Sequence, residues 1–298
     1  MGLIIKATSM IIGNGQDSSI EISAEAVRKV IQTSGVDRHE VGLLLNIGIN
    51  RDSNIVEPAV ASLIQKRARL NLNPTRKQLG KKVGTLSFDI LRGTCGFIQA
   101  AQVADAFLQT GSFKKAIIVS SDVHPSGKKV SEFPFTHSAA AILLEYENNG
   151  KGFKNYIYET SEKGSVGLKV YMDIMAGGKN GRNLINVDIE EDYPHRLQKF
   201  ILKTINNYVE RGVFNLKEVD HIISATPSKN FGREVSDSLG FRNNTLVEVY
   251  DKYGDTNTSS PLIGYHLAAE NGELKDGDNV FFISGGSGIT CALSMYQV

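Results

Sequence analysis

The residues of this 298-residue chain best suited to covalent chemistry lie together in Asp89-Ile90-Leu91-Arg92-Gly93-Thr94-Cys95-Gly96-Phe97, where a hydroxyl and a thiol sit side by side at a bend. Beyond them Phe97, Ala100, Ala101, Val103, Ala104, Phe107 and Leu108 recur at three- and four-residue spacing, which predicts a helix with one buried face, ending at Gly111. Ser87 to Asp89, just before, reads as a buried strand. Thr94 and Cys95 thereby fall at a helix N-terminus, where unpaired N–H groups and the helix dipole favour an anion and ease ionisation of a thiol. Two readings of Cys95 follow: a nucleophile, or a small buried hydrophobe under a tight turn.

Other chemistry-bearing groups are less pointed. The histidines (39, 124, 137, 195, 221 and 266) form no metal-ligand spacing with Cys95 or Cys291, so no metal is expected. Gly285-Gly286-Ser287-Gly288 follows a strand but leads into another strand, not a helix, which excludes the dinucleotide and P-loop readings. Lys66, Arg67, Arg69, Arg76, Lys77, Lys81 and Lys82 form the densest basic run, read either as a solvated face or as a local patch for an anion. With 33 basic and 32 acidic residues the formal charge is +1, which offers no global attraction to nucleic acid or anionic membrane. The start carries no basic flank and long apolar run of signal-peptide type, no apolar run reaches the roughly 18 residues that span a bilayer, and two cysteines make no disulfide scaffold. A cytoplasmic protein is expected.

The elements that must position the bend alternate strand and helix. Gly2 to Met10 and Val41 to Ile49 read as strands around an amphipathic helix over Ile22 to Thr33, and a second helix runs from Pro58 to Leu70. Strands follow at Ala116 to Ser121 and Ala139 to Tyr146. The same grammar returns with helices over Leu197 to Glu210, Phe231 to Leu239 and Pro261 to Glu270, and strands at His221 to Ala225, Val247 to Tyr250, Val280 to Ser284 and Ile289 to Tyr296. The repetition predicts an internally duplicated α/β chain: one half over 1–150, a second over 192–298. Between them 151–191, rich in Gly, Lys and Asn, reads as a lid over a pocket or as a surface excursion.

These features together resemble the thiolase-like condensing enzymes, most closely the β-ketoacyl-acyl-carrier-protein synthase III branch. The resemblance rests on Phe88-Asp89 leading to Gly96-Phe97, on Phe135-Thr136-His137-Ser138-Ala139-Ala140-Ala141, on Lys252-Tyr253-Gly254-Asp255-Thr256 and on Gly285 to Gly288. It implies a thiolase-like fold of two duplicated βαβαβ-type halves layered α/β/α/β/α, pairing as a homodimer through the strand at Ala116 to Ser121, and acyl transfer through a cysteine thioester. Coenzyme A or phosphopantetheine would serve as acyl carrier, and no other cofactor is implied.

Carried over residue by residue, the family's catalytic cysteine falls on Thr94, its histidine on Ala225 and its asparagine on Asp255, while His137 stands where the family has an aspartate. Cys95 lies one residue on, which on a helix is a rotation of about 100 degrees. The resemblance also places Phe97, Thr226, Ser228, Asn230, Gly286 and Ser287 about the substrate. Condensation needs a thiolate and two neutral hydrogen-bond donors, and losing one such donor typically costs about a hundredfold in rate. The expectation is therefore a silent or modified paralogue that partners an active ketosynthase, as a homodimer or heterodimer, or that binds acyl chains or an acyl-carrier protein. The alternative is an acyltransferase working through Cys95 or Thr94 with Asp255 as base, His137 or His124 nearby, and Lys66, Arg67 or Arg69 near the mouth for a phosphate. In either case Thr94, Ala225 and Asp255 should converge where the halves meet.

Overall fold

Two mixed sheets lie on either side of a central pair of helices. The computed structural model describes residues 2–72, 84–148, 150–173, 181, 183–241 and 245–298. The first sheet is built from β1 (Gly2–Ile12), β2 (Val41–Asn46), β3 (Leu86–Asp89), β4 (Lys115–Asp122) and β5 (Ser138–Glu147), in the order β1-β5-β4-β2-β3. Next come β6 (Gly152–Thr160), β7 (Leu168–Tyr171), β8 (Asn186–Ile189), β9 (His221–Ser224), β10 (Asn279–Gly286) and β11 (Thr290–Gln297). The second sheet runs β6-β11-β10-β9, and β7 with β8 forms a separate two-stranded ribbon. In each half a parallel pair, β2 with β4 or β9 with β10, is followed by an antiparallel hairpin partner and then by the half's first strand.

The helices are α1 (Ser19–Ser34), α2 (Val60–Ala68), α3 (Gly96–Gln109), α4 (Tyr193–Glu210), α5 (Phe231–Ser238), α6 (Tyr250–Tyr253) and α7 (Ser260–Glu270). Local chemistry sets their ends: the Ser18 hydroxyl accepts from Glu21 N to cap α1, and Gly35, at φ 68°, closes it in the left-handed conformation. Three apolar clusters account for the layering. One joins α1 and α2 to the outer face of the first sheet through Val27, Ile64, Leu44 and Ile117. A second joins α4 and α5 to the outer face of the other sheet through Leu197, Val235, Phe281 and Ile283. The largest fills the space between the sheets with Phe97, Ala101 and Ala104 of α3, Leu262 and Leu267 of α7, and Leu45, Ile118, Val280 and Phe282 from the strands. The result is the five-layered thiolase-like arrangement. Strand β2 reads as an unbroken apolar run because both of its faces are covered.

Four expectations need correction. Strand β4 lies between β5 and β2, so it cannot be the edge through which a partner extends the sheet. The edges of that sheet are β1 and β3, and β3 is part-exposed rather than buried, with Leu86 42% and Leu91 57% exposed beside it. No strand forms at Val247 to Tyr250. There the second half makes a single parallel bridge, Ile222 to Leu246, before α6. Finally Gly152–Thr160, expected in the lid segment, is a strand of the second sheet paired with β11.

Candidate functional site

The bend before α3 is a 3₁₀ turn over Gly93–Cys95. Gly93, at φ 57°, takes the left-handed conformation that lets the chain leave β3 and enter the helix at a sharp angle. Thr94 then faces a cavity of roughly 200 Å³ at the junction of the halves, and its hydroxyl donates to Gly285 O at 2.6 Å. Gly285 has no room for a side chain, because a Cβ there would lie 2.7 Å from Ile201 Cδ1 and 2.8 Å from Leu197 Cδ1 of α4. The end of β10 presents its backbone to Thr94, and Gly286 and Ser287 line the cavity beside it.

Cys95 is turned away from this space. It is 1% exposed, belongs to the central apolar cluster and places Sγ 3.6 Å from Thr290 Oγ1 on β11. Burial pushes its thiol up to about 11, against hydrogen bonding from Thr290 and the charge of Arg92. A thiol so placed is protonated at neutral pH and screened from any substrate. Neighbouring positions on one turn thus meet different surroundings.

Asp255 enters the cavity from the loop between α6 and α7. Its Oδ1 accepts from Asn257 N at 2.8 Å and its carbonyl oxygen accepts from Thr136 N at 2.7 Å, which ties the loop to the segment before β5. Burial raises its carboxyl to about 7; the Asn257 N–H and the Thr226 hydroxyl pull it down, and the charge of Asp122 pushes it further up. Asp122, at the end of β4, is fully buried and accepts from Asn50 N at 3.0 Å, Asn50 Nδ2 at 2.8 Å, Thr258 N at 3.0 Å and the Thr258 hydroxyl. It anchors from the first half the loop of the second half that carries Asp255.

The remaining walls are apolar or aromatic: Ile49, Phe135, Tyr193, Pro227, and Leu168, Val170 and Ile189 of the β7–β8 ribbon. Tyr193 starts α4 with Pro194 behind it, and its ring packs so closely on Gly167, at φ 80°, that a Cβ there would lie 2.1 Å from Cδ2. The ribbon is clamped at its base, where Glu190 N donates to Gly167 O at 2.8 Å and Arg196 pairs with Glu190. Its far end is held to the first half by Asn54 Nδ2 donating to Leu184 O at 2.7 Å.

Of the residues singled out in the sequence, Thr94, Asp255, Gly286 and Ser287 meet at this cavity. Ala225 does not: it is 1% exposed at the end of β9 and, with Thr226, Ser228 and Asn230, lines a separate small crevice against α5. Phe97 is wholly buried, its ring 5.1 Å from that of Phe282 and 5.9 Å from that of Phe153. His137 Nδ1 bonds Asp17 at 2.9 Å, its Nε2 accepts from His124 N, and neither histidine lines the cavity. Nor do Lys66, Arg67 or Arg69, which lie at the end of α2, where Arg67 pairs with Glu21. Arg76, Lys77, Lys81 and Lys82 fall outside the described residues. No cluster of metal-ligating side chains occurs among the described residues, and none of their helices is long and apolar enough to cross a membrane. Tyr193 and Asn257 were missed from the sequence, the one local signal being the aromatic-proline start of α4; the ribbon lies within the 151–191 segment read as a lid or a surface excursion, and its Leu168, Val170 and Ile189 line the cavity.

Two sequence profiles of one family match in order, 3-oxoacyl-[acyl-carrier-protein] synthase III over residues 88–161 and its C-terminal part over residues 209–298. The chain belongs to the β-ketoacyl-acyl-carrier-protein synthase III family. The synthase III of Koribacter versatilis is 22% identical over 93% of this chain and 82% of its own length, and that of Clostridium tetani 25% over 96% and 86%. Among solved structures, OleA of Xanthomonas campestris, in a cysteine-to-serine form with bound lauric acid and lauroyl-CoA, superposes with TM-score 0.80 at 14% identity, covering 100% of this chain and 99% of that one. FabH of Xanthomonas oryzae pv. oryzae gives 0.80 at 15%, with the same coverage. Members of this family use no metal or cofactor beyond the acyl carrier. Against that background the cavity of this synthase III relative has a threonine at the bend and an aspartate opposite.

Proposed function

We propose that this chain is a catalytically silent synthase III paralogue that holds an acyl group non-covalently in the cavity between its halves. The observation that carries the reading is the pairing of an averted thiol with an engaged hydroxyl: Cys95 is buried against β11, and the Thr94 hydroxyl gives its proton to Gly285 O. An alcohol needs a base to attack a thioester; among the described residues the lining holds neither imidazole nor amine, and its one carboxyl, Asp255, is engaged by Asn257 N while the Thr94 hydroxyl is turned to Gly285 O. The apolar ribbon and Phe135 are suited to a hydrocarbon chain. That the OleA structure with bound lauric acid and lauroyl-CoA has serine for cysteine supports binding without a thioester bond to the protein. The acyl group would arrive on coenzyme A or an acyl-carrier protein. A second chain of the family, another copy or an active synthase, would extend the first sheet at its edge strand β3, where Leu86 and Leu91 are exposed.

The test is intact-mass spectrometry after incubation with acyl-coenzyme A and acyl-carrier protein, alongside calorimetric titration of the acyl ligand. The expected result is binding, no covalent adduct, and Cys95 unalkylated by iodoacetamide in the native protein. An acyl adduct on Thr94, lost in Thr94→Val, would establish the acyltransferase instead.

A further inference from the structure

The polar end of the cavity has an unusual charge make-up for a site that takes acyl groups. Among the described residues its lining includes one carboxyl, Asp255, and one phenol, Tyr193, and no lysine, arginine or histidine. Behind Asp255 lies a second acid, Asp122 of β4, also without a cation and satisfied by neutral donors. Across from Asp255 the groups on offer are the Thr94 hydroxyl and the backbone of Gly285 to Ser287. A ligand that brings a negative charge to this end meets Asp255, with Asp122 behind it, in a poorly solvated space, and no cation among the described lining residues. A ligand with an uncharged head meets no such repulsion.

We propose that Asp255 is a specificity-determining residue that admits acyl compounds with an uncharged head, such as a thioester, amide or alcohol, and turns away the free carboxylate. The proposal rests on the acyl-binding reading and adds to it a class of ligand. It also has a pH signature. Burial and Asp122 raise the Asp255 carboxyl to about 7, and the groups facing it from the packed elements are Asp122 of β4 and Tyr193 of α4. Tyr193 is pushed up by burial and stays neutral through this range. Below about pH 7 Asp255 is protonated and tolerates an acid ligand; above it the repulsion appears.

Octanoic acid and octanamide, alike in shape and different in charge, form the decisive pair, titrated calorimetrically between pH 6 and 9. The acid is ionised in solution throughout, so its pH dependence reports a proton taken up on binding; a slope that Asp255→Asn abolishes belongs to Asp255, and one that survives the substitution overturns the role. Octanamide is expected to bind with constant affinity, and octanoate to weaken by up to about tenfold per pH unit above the Asp255 midpoint. Asp255→Asn should flatten the octanoate profile and strengthen its binding at pH 8 by about tenfold or more. Equal, pH-independent affinities of the native protein for the two compounds would overturn the specificity role while leaving acyl binding intact. Binding of neither would overturn both. Octane-1-sulfonate, which takes up no proton in this range, repeats the comparison on the native protein and decides the matter even if the Asn variant does not fold: weakening above the Asp255 midpoint is expected, and a flat profile overturns the role.

Discussion

The two central helices begin alike and end up in opposite surroundings. In the first half Gly93-Thr94-Cys95 leads into α3; in the second Asn257-Thr258-Ser259 leads into α7, again through a 3₁₀ turn. Each threonine reaches across to the end of the other half's central strand, Thr94 to Gly285 on β10 and Thr258 to Asp122 on β4. These strands are both eight residues long, and with their starts matched Asp122 corresponds to Gly286. The following residue differs in kind too: Cys95 touches Thr290, whereas Ser259 accepts from the Ser120 hydroxyl at 2.7 Å. Where the strand ends in glycine a cavity opens in front of the helix. Where it ends in aspartate the same space is plugged by a carboxylate that takes four hydrogen bonds. One architecture thus yields a binding site and a structural joint, and the choice turns on a single side chain.

The strongest way to break the contrast is to remove the plug. Asp122→Ala strands four donors of Asn50 and Thr258 in a buried site and should cost about 4 kcal/mol in denaturant unfolding, since a buried group loses its partner without gaining water. A loss within experimental error would show that Asp122 is no joint.

Asp255→Asn tests the acid on the open side. The folded carboxyl titrates at about 7 against 3.8 for the ordinary group, so the folded state holds more protons between these values, and stability falls as pH rises through that window. Asparagine removes the charge. It should stabilise the protein at pH 8 by about 2 kcal/mol, a figure discounted for the exposure of Asp255 to the cavity, and by little at pH 4. Thermal unfolding at both pH values reads the difference, and a larger gain at pH 4 would contradict the assignment.

The smallest effect sharpens the comparison of the threonines themselves. Thr94→Val loses one bond to a backbone carbonyl at the cavity edge and should cost about 1 kcal/mol, while Thr258→Val, facing a buried carboxylate, should cost about 2 to 3 kcal/mol. Equal costs would mean that the two sites are energetically alike.

Much of the frame was legible in the residues. The three- and four-residue spacing from Phe97 to Leu108, the unbroken apolar run at Val41 and the glycine-rich turn after Ser284 each report local geometry, because a helix or a doubly covered strand imposes its own period on the chain. The repetition of that grammar disclosed two halves. The motifs around Asp89, Asp255 and Gly285 pointed to Thr94 and Asp255, and both line the cavity.

Tertiary packing decided the rest. Thr94 and Cys95 are neighbours in sequence with equal claim to a helix start, yet the approach of β11 buries one and the glycine end of β10 leaves the other open. Strand β4 is apolar whether central or marginal, so its place between β5 and β2 is set by pairing and not by composition. The ribbon of Leu168, Val170 and Ile189 carries no period long enough to read; it reaches the cavity because Glu190 and Asn54 tether its two ends to different halves. Periodicity along the chain records how each element meets its own layer. Which side chains face one another across two layers depends on residues nearly two hundred positions apart, as with Thr94 and Gly285, and no local pattern carries that information.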